Sequence, residues 1–236
     1  MKGFIGKILE VNLNNSEIKD ISLDTSIAEK FLGATGYAVR YLYDFIEKET
    51  DPLGPENILM FMTGPLCLSN APTSGRFSVC AKSPYTGIWG EANCGGYFGP
   101  ELKKAGYDGI IIKGVSNNPV FLNITEEKAE LKDASHLWGK GALETHEILK
   151  EESGSNLTRV ACIGQAGENL VKFATIGSEE KAAGRTGMGA VMGSKKLKAI
   201  SVKGPKRKFK AGKPREFKES VKEMIENVNN SFTTQM

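Results

Sequence analysis

Asn93-Cys94-Gly95-Gly96-Tyr97-Phe98-Gly99 and Gly184-Arg185-Thr186-Gly187-Met188-Gly189, the latter running on to Gly193, are the stretches from which the fold can be read. Each is followed by a lysine-bearing segment and then an apolar run closing in Lys-Gly, Ile110 to Gly114 in the first and Ile200 to Gly204 in the second. Glycine disfavours helix and strand interiors, so such clusters mark unusual backbone angles or close backbone approach to a ligand. Two of them in matching contexts point to a two-lobed site built by duplication.

Working outward, the flanking elements repeat in the same order. Residues 4 to 23 alternate as two strands about the turn Asn14-Asn15, and Pro119 to Ala134 reads as a second hairpin. Ile27 to Glu47 has helical spacing interrupted near Gly33 and Gly36, and Ala142 to Glu152 is helical again. Ile58 to Met62 is a buried strand ending at Gly64-Pro65, and Arg159 to Ile163 is its counterpart, ending at Gly164. Aligned on the glycines, the second copy is four residues shorter between Gly193 and Gly204. A period near 100 residues is too long for a solenoid. The expectation is an α+β fold: an internal duplication giving two mixed β-sheets with flanking helices, related by a pseudo-two-fold. After Pro214, a helical apolar stripe (Phe217, Val221, Met224, Ile225, Val228) has no partner in the repeat.

Composition bounds the function. The chain has 236 residues, 40% apolar and 25% charged, enough for a real core in an ordinary globular protein. No apolar run reaches membrane-spanning length and no leader pattern opens the chain, so a cytoplasmic protein is expected. Lys203 to Lys218 holds eight basic residues and one acid, a local +7 that leaves −4 for the remainder. With Pro205, Gly212 and Pro214 inside it and little aromatic interleaving, the run reads as a solvated linker rather than a nucleic-acid arm. Cys67, Cys80, Cys94 and Cys162 form no C-x-x-C pair, and His136 and His146 form no convincing metal or catalytic set.

The loops themselves favour anion binding. A dinucleotide G-x-G-x-x-G reading fails because Gly177 to Ala183 is polar and helix-like, so no strand leads in, and the third glycine falls at Gly193, one place late. Backbone N–H groups in such turns still form anion-binding concavities, and a guanidinium adds a planar bidentate donor. Arg76 in Thr73-Ser74-Gly75-Arg76 and Arg185 in the second loop are the candidates. Cys94 lacks a neighbouring base and is not read as a nucleophile. Glu168 reads as a loop carboxylate capping backbone N–H groups.

The same segments resemble the N-terminal domain of the tungsten-dependent aldehyde:ferredoxin oxidoreductases. The resemblance is carried by Gly64-Pro65-Leu66, Ala71-Pro72-Thr73-Ser74-Gly75-Arg76, Lys82-Ser83-Pro84, Thr86-Gly87 and Ala92-Asn93 through Gly99. It continues through Glu101-Leu102-Lys103, Ala105-Gly106-Tyr107-Asp108, Asp133-Ala134-Ser135-His136, Gly164 through Phe173 and Ala182-Ala183-Gly184-Arg185 through Ile200. It implies that residues 1–205 form the base on which a bis-pterin tungsten (or molybdenum) cofactor sits. Arg76, Asn93, Gly95 and Gly96 would contact one pterin-phosphate arm, and Ala183, Gly184, Arg185 and Gly187 would face the other. Backbone carbonyls of Asn93 and Ala183 are the implied ligands of a magnesium ion bridging the phosphates. Valine at Gly95 or Gly187 is expected to abolish cofactor retention more than folding.

The resemblance also sets limits. Members of that family carry a C-x-x-C-x-x-x-C set for a [4Fe-4S] cluster, and the acid/base groups near tungsten, in later domains. Residues 206–236 read as a basic linker and the start of a truncated helical second domain, so this chain alone is expected to be inactive. The implied whole reaction is oxidation of an aldehyde to a carboxylic acid, with ferredoxin as electron acceptor in an anaerobic metabolism. The implied partners are the remaining domains or a subunit, with a homo-oligomer left open and neither nucleic acid nor membrane expected. The competing reading is a non-catalytic pterin-binding or assembly module.

Overall fold

The computed structural model describes residues 1–235. The first half runs β1 (Lys7–Asn12), β2 (Glu17–Ser22), α1 (Thr25–Phe31), α2 (Thr35–Phe45), β3 (Leu59–Thr63), β4 (Phe77–Lys82), β5 (Trp89–Cys94), α3 (Phe98–Ala105) and β6 (Gly109–Lys113). The second runs β7 (Val120–Ile124), β8 (Ala129–Asp133), α4 (Ala142–Glu152), β9 (Arg159–Cys162), α5 (Gln165–Glu168), β10 (Ile176–Ser178), β11 (Lys181–Ala183), α6 (Met188–Ser194) and β12 (Leu197–Val202). Two helices follow, the long α7 (Pro214–Asn229) and the short α8 (Phe232–Gln235).

The duplication holds strand for strand. One sheet has the order β2-β1-β6-β3-β4-β5, and the other, read from its far edge, has β8-β7-β12-β9-β10-β11. In each, the first and last strands pair in parallel (β1 with β6, β7 with β12) and every other pairing is antiparallel. This is the α+β pair of mixed sheets that the repeat in the sequence requires.

Each central strand is apolar on both faces because each is covered on both. The inner faces close on one shared core, where Phe61, Phe77 and Val79 of the first sheet meet Ala161, Ile200 and Val202 of the second through Phe98 and Leu102 of α3 and Met188 and Met192 of α6. The outer face of the first sheet packs Met60, Cys80 and Ile111 against Tyr37, Ala38 and Leu42 of α2. The outer face of the second packs Val160, Cys162 and Ala199 against Leu149 of α4. Phe61, Phe77 and Phe98 form an aromatic cluster at the centre, the closest ring centroids being 4.7 Å apart.

Two sequence expectations are corrected. Gly177 to Ala183 is not helical: it is the end of β10 and all of β11, joined through Glu179-Glu180 with Ser178 paired to Lys181. Three-residue strands are too short to show a period, and Glu-Glu carries none of the Asn-Gly signature of a tight hairpin. The second copy is also not shorter. Gly189, not Gly193, corresponds to Gly99, as each is the second residue of its helix. Each also presses on the strand before the loop: a Cβ on Gly99 would lie 3.0 Å from the Gly75 oxygen, and one on Gly189 2.4 Å from the Thr175 oxygen. Gly99 to Gly114 and Gly189 to Gly204 then have equal length.

Candidate functional site

The edge strands β5 and β11 lie side by side where the two sheets meet, so each glycine loop lies against the edge hairpin of the other lobe. Ser83 Oγ donates to the Thr186 carbonyl at 2.7 Å, and Thr186 Oγ1 donates to the Glu91 carbonyl at 2.9 Å. Pro84 and Lys172 close on Gly187. The equivalent loop positions Gly96 and Thr186 both have positive φ, +100° and 57°. The same backbone kink is therefore made twice, once with a glycine and once with a threonine held by hydrogen bonds.

The first loop forms one wall of a cleft of about 540 Å³, lined by Ser69, Arg76, Gly95, Gly96, Tyr97 and Lys181 among others. Arg76 Nε donates to Asn93 Oδ1, and Nη2 donates to the Asn93 carbonyl at 3.3 Å. Gly95 fits between two cations: a Cβ there would lie 3.2 Å from Arg76 Nη1 and 3.4 Å from Lys181 Cδ. Arg76 and Lys181 thus converge on a patch of glycine backbone, which suits an anion such as a phosphate. Glu179, ion-paired to Arg159 at 2.9 Å, closes against Gly96, and Arg159 lies over the Tyr97 ring.

The candidates from the sequence divide between the two loops. Arg76, Asn93, Gly95 and Gly96 come together at this cleft. Ala183 ends β11 fully buried, Gly184 and Arg185 are exposed, and Gly187 is buried at the start of α6. Arg185 does not line the cleft with Arg76. Gly187 is demanded by packing, because a Cβ there would lie 1.9 Å from the Lys172 oxygen. Lys181 and Glu179 escaped the sequence reading because the hairpin that delivers them was not recognised.

The remaining polar candidates resolve as structural. All four cysteines are reduced and buried. Burial pushes the Cys67 and Cys162 thiols up to about 12 and Cys94 to about 11 despite nearby Arg76, and raises Cys80 as well. None is a thiolate nucleophile at neutral pH. His136 pairs with Glu152 at 2.9 Å, and burial lowers the pKa of His146. Glu168 accepts from the Gly139 N–H at 2.9 Å, the capping role expected of it, and also holds the buried Lys198. Among the described residues, no cluster of three His, Cys, Asp or Glu side chains could hold a metal, and no helix is long and apolar enough to cross a membrane. Within the basic run, Arg207 donates to the Lys104 carbonyl at 3.1 Å, and Phe209 packs on Phe217 with ring centroids 5.2 Å apart.

Comparison with known proteins agrees with this geometry. Residues 8–204 match the family model described as aldehyde ferredoxin oxidoreductase, N-terminal domain. The chain belongs to that family. It is 49% identical over 231 residues to a tungsten-containing aldehyde ferredoxin oxidoreductase of Thermococcus kodakarensis, covering 98% of this chain and 38% of that protein. It is 37% identical over 221 residues to the aliphatic sulfonate oxidoreductase, WOR-like subunit, of Pyrococcus furiosus, covering 86% of this chain and 35% of that one. A chain of the active site complex BamBC of benzoyl coenzyme A reductase, solved with 1,5-dienoyl-CoA, superposes with a TM-score of 0.94 at 40% identity, covering 97% of this chain and 35% of its own length. The chain therefore spans little more than a third of the length of these relatives.

Proposed function

We propose that this chain is the cofactor base of a tungsten (or molybdenum) bis-pterin oxidoreductase, each lobe seating one arm of the cofactor. The observation that carries this reading is the strand-for-strand duplication in which each glycine loop lies against the edge hairpin of the other lobe, Thr186 on Ser83 and Glu91, and Gly95 and Gly96 on Lys181 and Glu179. Two equivalent loops flanking one seam suit a ligand with two equivalent halves.

The residues present fit a phosphate-bearing group. In the first lobe Arg76 and Lys181 would neutralise its charge, and Gly95 and Gly96 would let backbone N–H groups approach it. In the second lobe the run Ala183-Gly184-Arg185, with Gly187 fixing the turn, would face the other phosphate. Magnesium prefers hard oxygen ligands and binds readily through phosphates and few protein groups. The Asn93 and Ala183 carbonyls are the protein oxygens assigned to it. When bound, the metal centre would supply the two-electron oxidation of an aldehyde and water to a carboxylic acid. The chain's own residues bind, orient and balance charge, and its four buried thiols take no part.

Relatives named for aldehyde, for aliphatic sulfonate and for benzoyl coenzyme A share this domain. What three such different names have in common is the cofactor seat, so substrate choice falls to residues outside this chain. On this reading residues 1–205 are the base and residues 206–236 lead into a helical second domain. That fits α7, whose Met224, Ile225 and Val228 are exposed while Val221 alone is buried. A [4Fe-4S] cluster, the contact with ferredoxin and any homo-oligomer contact would lie in the remaining domains or a subunit of a cytoplasmic enzyme. Purification with its neighbouring gene products, followed by assay of tungsten, molybdenum and pterin phosphate, tests the proposal. An active assembly with no pterin overturns it.

A further inference from the structure

Beneath Arg76 runs a chain of hydrogen bonds. Ser78 pairs with Asn93 across β4 and β5, and Cys80 pairs with Glu91 two residues further on, so all four side chains emerge on one face of the sheet. That face is covered by α2, whose first residue is Thr35. Thr35 Oγ1 lies 2.7 Å from Glu91 Oε1 and 3.0 Å from Ser78 Oγ. Asn93 Nδ2 donates to Ser78 Oγ at 3.0 Å, while Asn93 Oδ1 accepts from Arg76 Nε.

A hydroxyl has one proton to donate, and an ionised carboxylate can only accept. The shorter, charge-assisted bond takes the Thr35 proton to Glu91. The longer branch of the same donor reaches Ser78, so Ser78 Oγ accepts from both Thr35 and Asn93. The chain consequently links Asn93 through Ser78 and Thr35 to the Glu91 carboxylate. It also decides the Asn93 amide: nitrogen faces Ser78, so oxygen faces Arg76. With the amide flipped, an N–H₂ group would oppose the guanidinium. Ser78 is only 1% exposed, so water cannot readily replace the link.

We propose that Thr35, Ser78 and Glu91 are positioning residues for anion binding. Anchored on Glu91, the chain fixes Asn93, and Asn93 holds the Nε–Nη2 edge of the Arg76 guanidinium so that Nη1, beside Gly95, is left for the ligand. This rests on the cradle reading above. The anchor also reaches the second loop, because the Glu91 carbonyl accepts from Thr186 Oγ1.

The test uses the 236-residue chain with inorganic pyrophosphate as probe, titrated calorimetrically, and the Asn93 side-chain amide followed by NMR without ligand. Thr35→Val and Ser78→Ala should each weaken pyrophosphate binding roughly tenfold, whereas Thr35→Ser should stay within about twofold of the parent. Unchanged affinity in the valine and alanine variants overturns the proposal. So does an equal loss in Thr35→Ser, since packing rather than the hydroxyl would then be at issue. In the unsubstituted chain one Asn93 Nδ2 proton should be protected from exchange, and fast exchange of both overturns the relay even if the variants fail to fold. If that proton is protected and Ser78→Ala releases it, but the parent binds no pyrophosphate, the relay stands and the cradle reading falls.

Discussion

The two lobes share one topology but differ in where they are polar. In the first, the glycine loop is flanked by Arg76, Asn93 and a hydrogen-bonded relay, and α3 carries Glu101, Lys103 and Lys104. In the second, the positions equivalent to Arg76 and Asn93 are Ala174 and Ala183, and α6 is built from Met, Gly, Ala and Val. The first loop is held by charged and amide side chains of its own lobe, the second by close backbone packing at Gly187 and Gly189 and by the Ser83 and Thr186 hydroxyls. Duplication preserved the topology, and the two copies then stabilised their loops by different physics.

Both lobes bury a lysine against a carboxylate, with Asp108 of the first pair at the position that Lys198 holds in the second. Lys103 lies 3.3 Å from Asp108, whose oxygens also accept from the Ile5 and Gly6 N–H groups. Lys198 pairs with Glu168, with side chains 0% and 4% exposed. Removing one partner of such a pair leaves an uncompensated buried charge, at a cost of about 3–5 kcal/mol. Glu168→Gln, which keeps the shape and strands the Lys198 ammonium, is therefore expected to cause the largest loss of stability, measured by denaturant unfolding. Asp108→Asn should cost a similar amount in the first lobe. Variants that unfold the chain in one transition would show that the shared core couples the lobes.

A smaller effect, with a defined sign, belongs to Lys195. It is fully buried, donates to the Gly114 carbonyl at 3.1 Å, and burial holds its pKa down to about 8. The unfolded chain, with an ordinary lysine near 10.5, binds more protons between these two values. Lys195 therefore makes stability rise as pH increases from about 8 to about 10.5, by up to about 3 kcal/mol. Relative to the parent, Lys195→Met should be most stabilised at pH 7, and its advantage should fade toward pH 10.5. A constant difference across urea melts at both pH values would contradict this.

Glycine gives the next comparison, because the two loops use it differently. At Gly187, with φ at +75° and a carbonyl 1.9 Å from any added Cβ, alanine should cost roughly 2 kcal/mol of stability. At Gly95 an added Cβ meets only the ends of Arg76 and Lys181, so Gly95→Ala should melt near the parent and still weaken pyrophosphate binding. Thermal melts and titrations on the same samples separate the two. The expectation that valine at either glycine costs cofactor retention more than folding thus divides: packing opposes it at Gly187, and at Gly95 it stands as a prediction.

Much of this was readable from the chain. The hairpin at 119–134, helix 142–152 and strand 159–163 follow from period and turn residues, because those elements are long or fully buried and their patterns are clean. The β10–β11 hairpin was not readable, since two strands of three residues and a Glu-Glu turn give no pattern. With it went Lys181. The buried lysines were hidden for another reason: a hydropathy scale prices Lys198 as surface, and only its partner 30 residues away makes burial tolerable. Thr35, Ser78 and Glu91 come from three elements, so no spacing in the sequence could have joined them.

The last comparison sets the two arginines against each other. Arg76 is held along its Nε–Nη2 edge by Asn93 and shares its cleft with Lys181, whereas Arg185 is exposed and, among the described residues, makes no hydrogen bond or ion pair. A guanidinium fixed before the ligand arrives loses little side-chain entropy on binding, while a free one must be ordered at that moment. Arg76→Ala should then weaken pyrophosphate binding about tenfold, and Arg185→Ala no more than about twofold. Arg76→Lys should recover little, because an ammonium cannot bridge Asn93 Oδ1 and the backbone carbonyl as a planar fork does. Equal losses at Arg76 and Arg185 would mean that the second lobe binds with a loop that orders only around its ligand, and preorganisation would no longer distinguish the lobes.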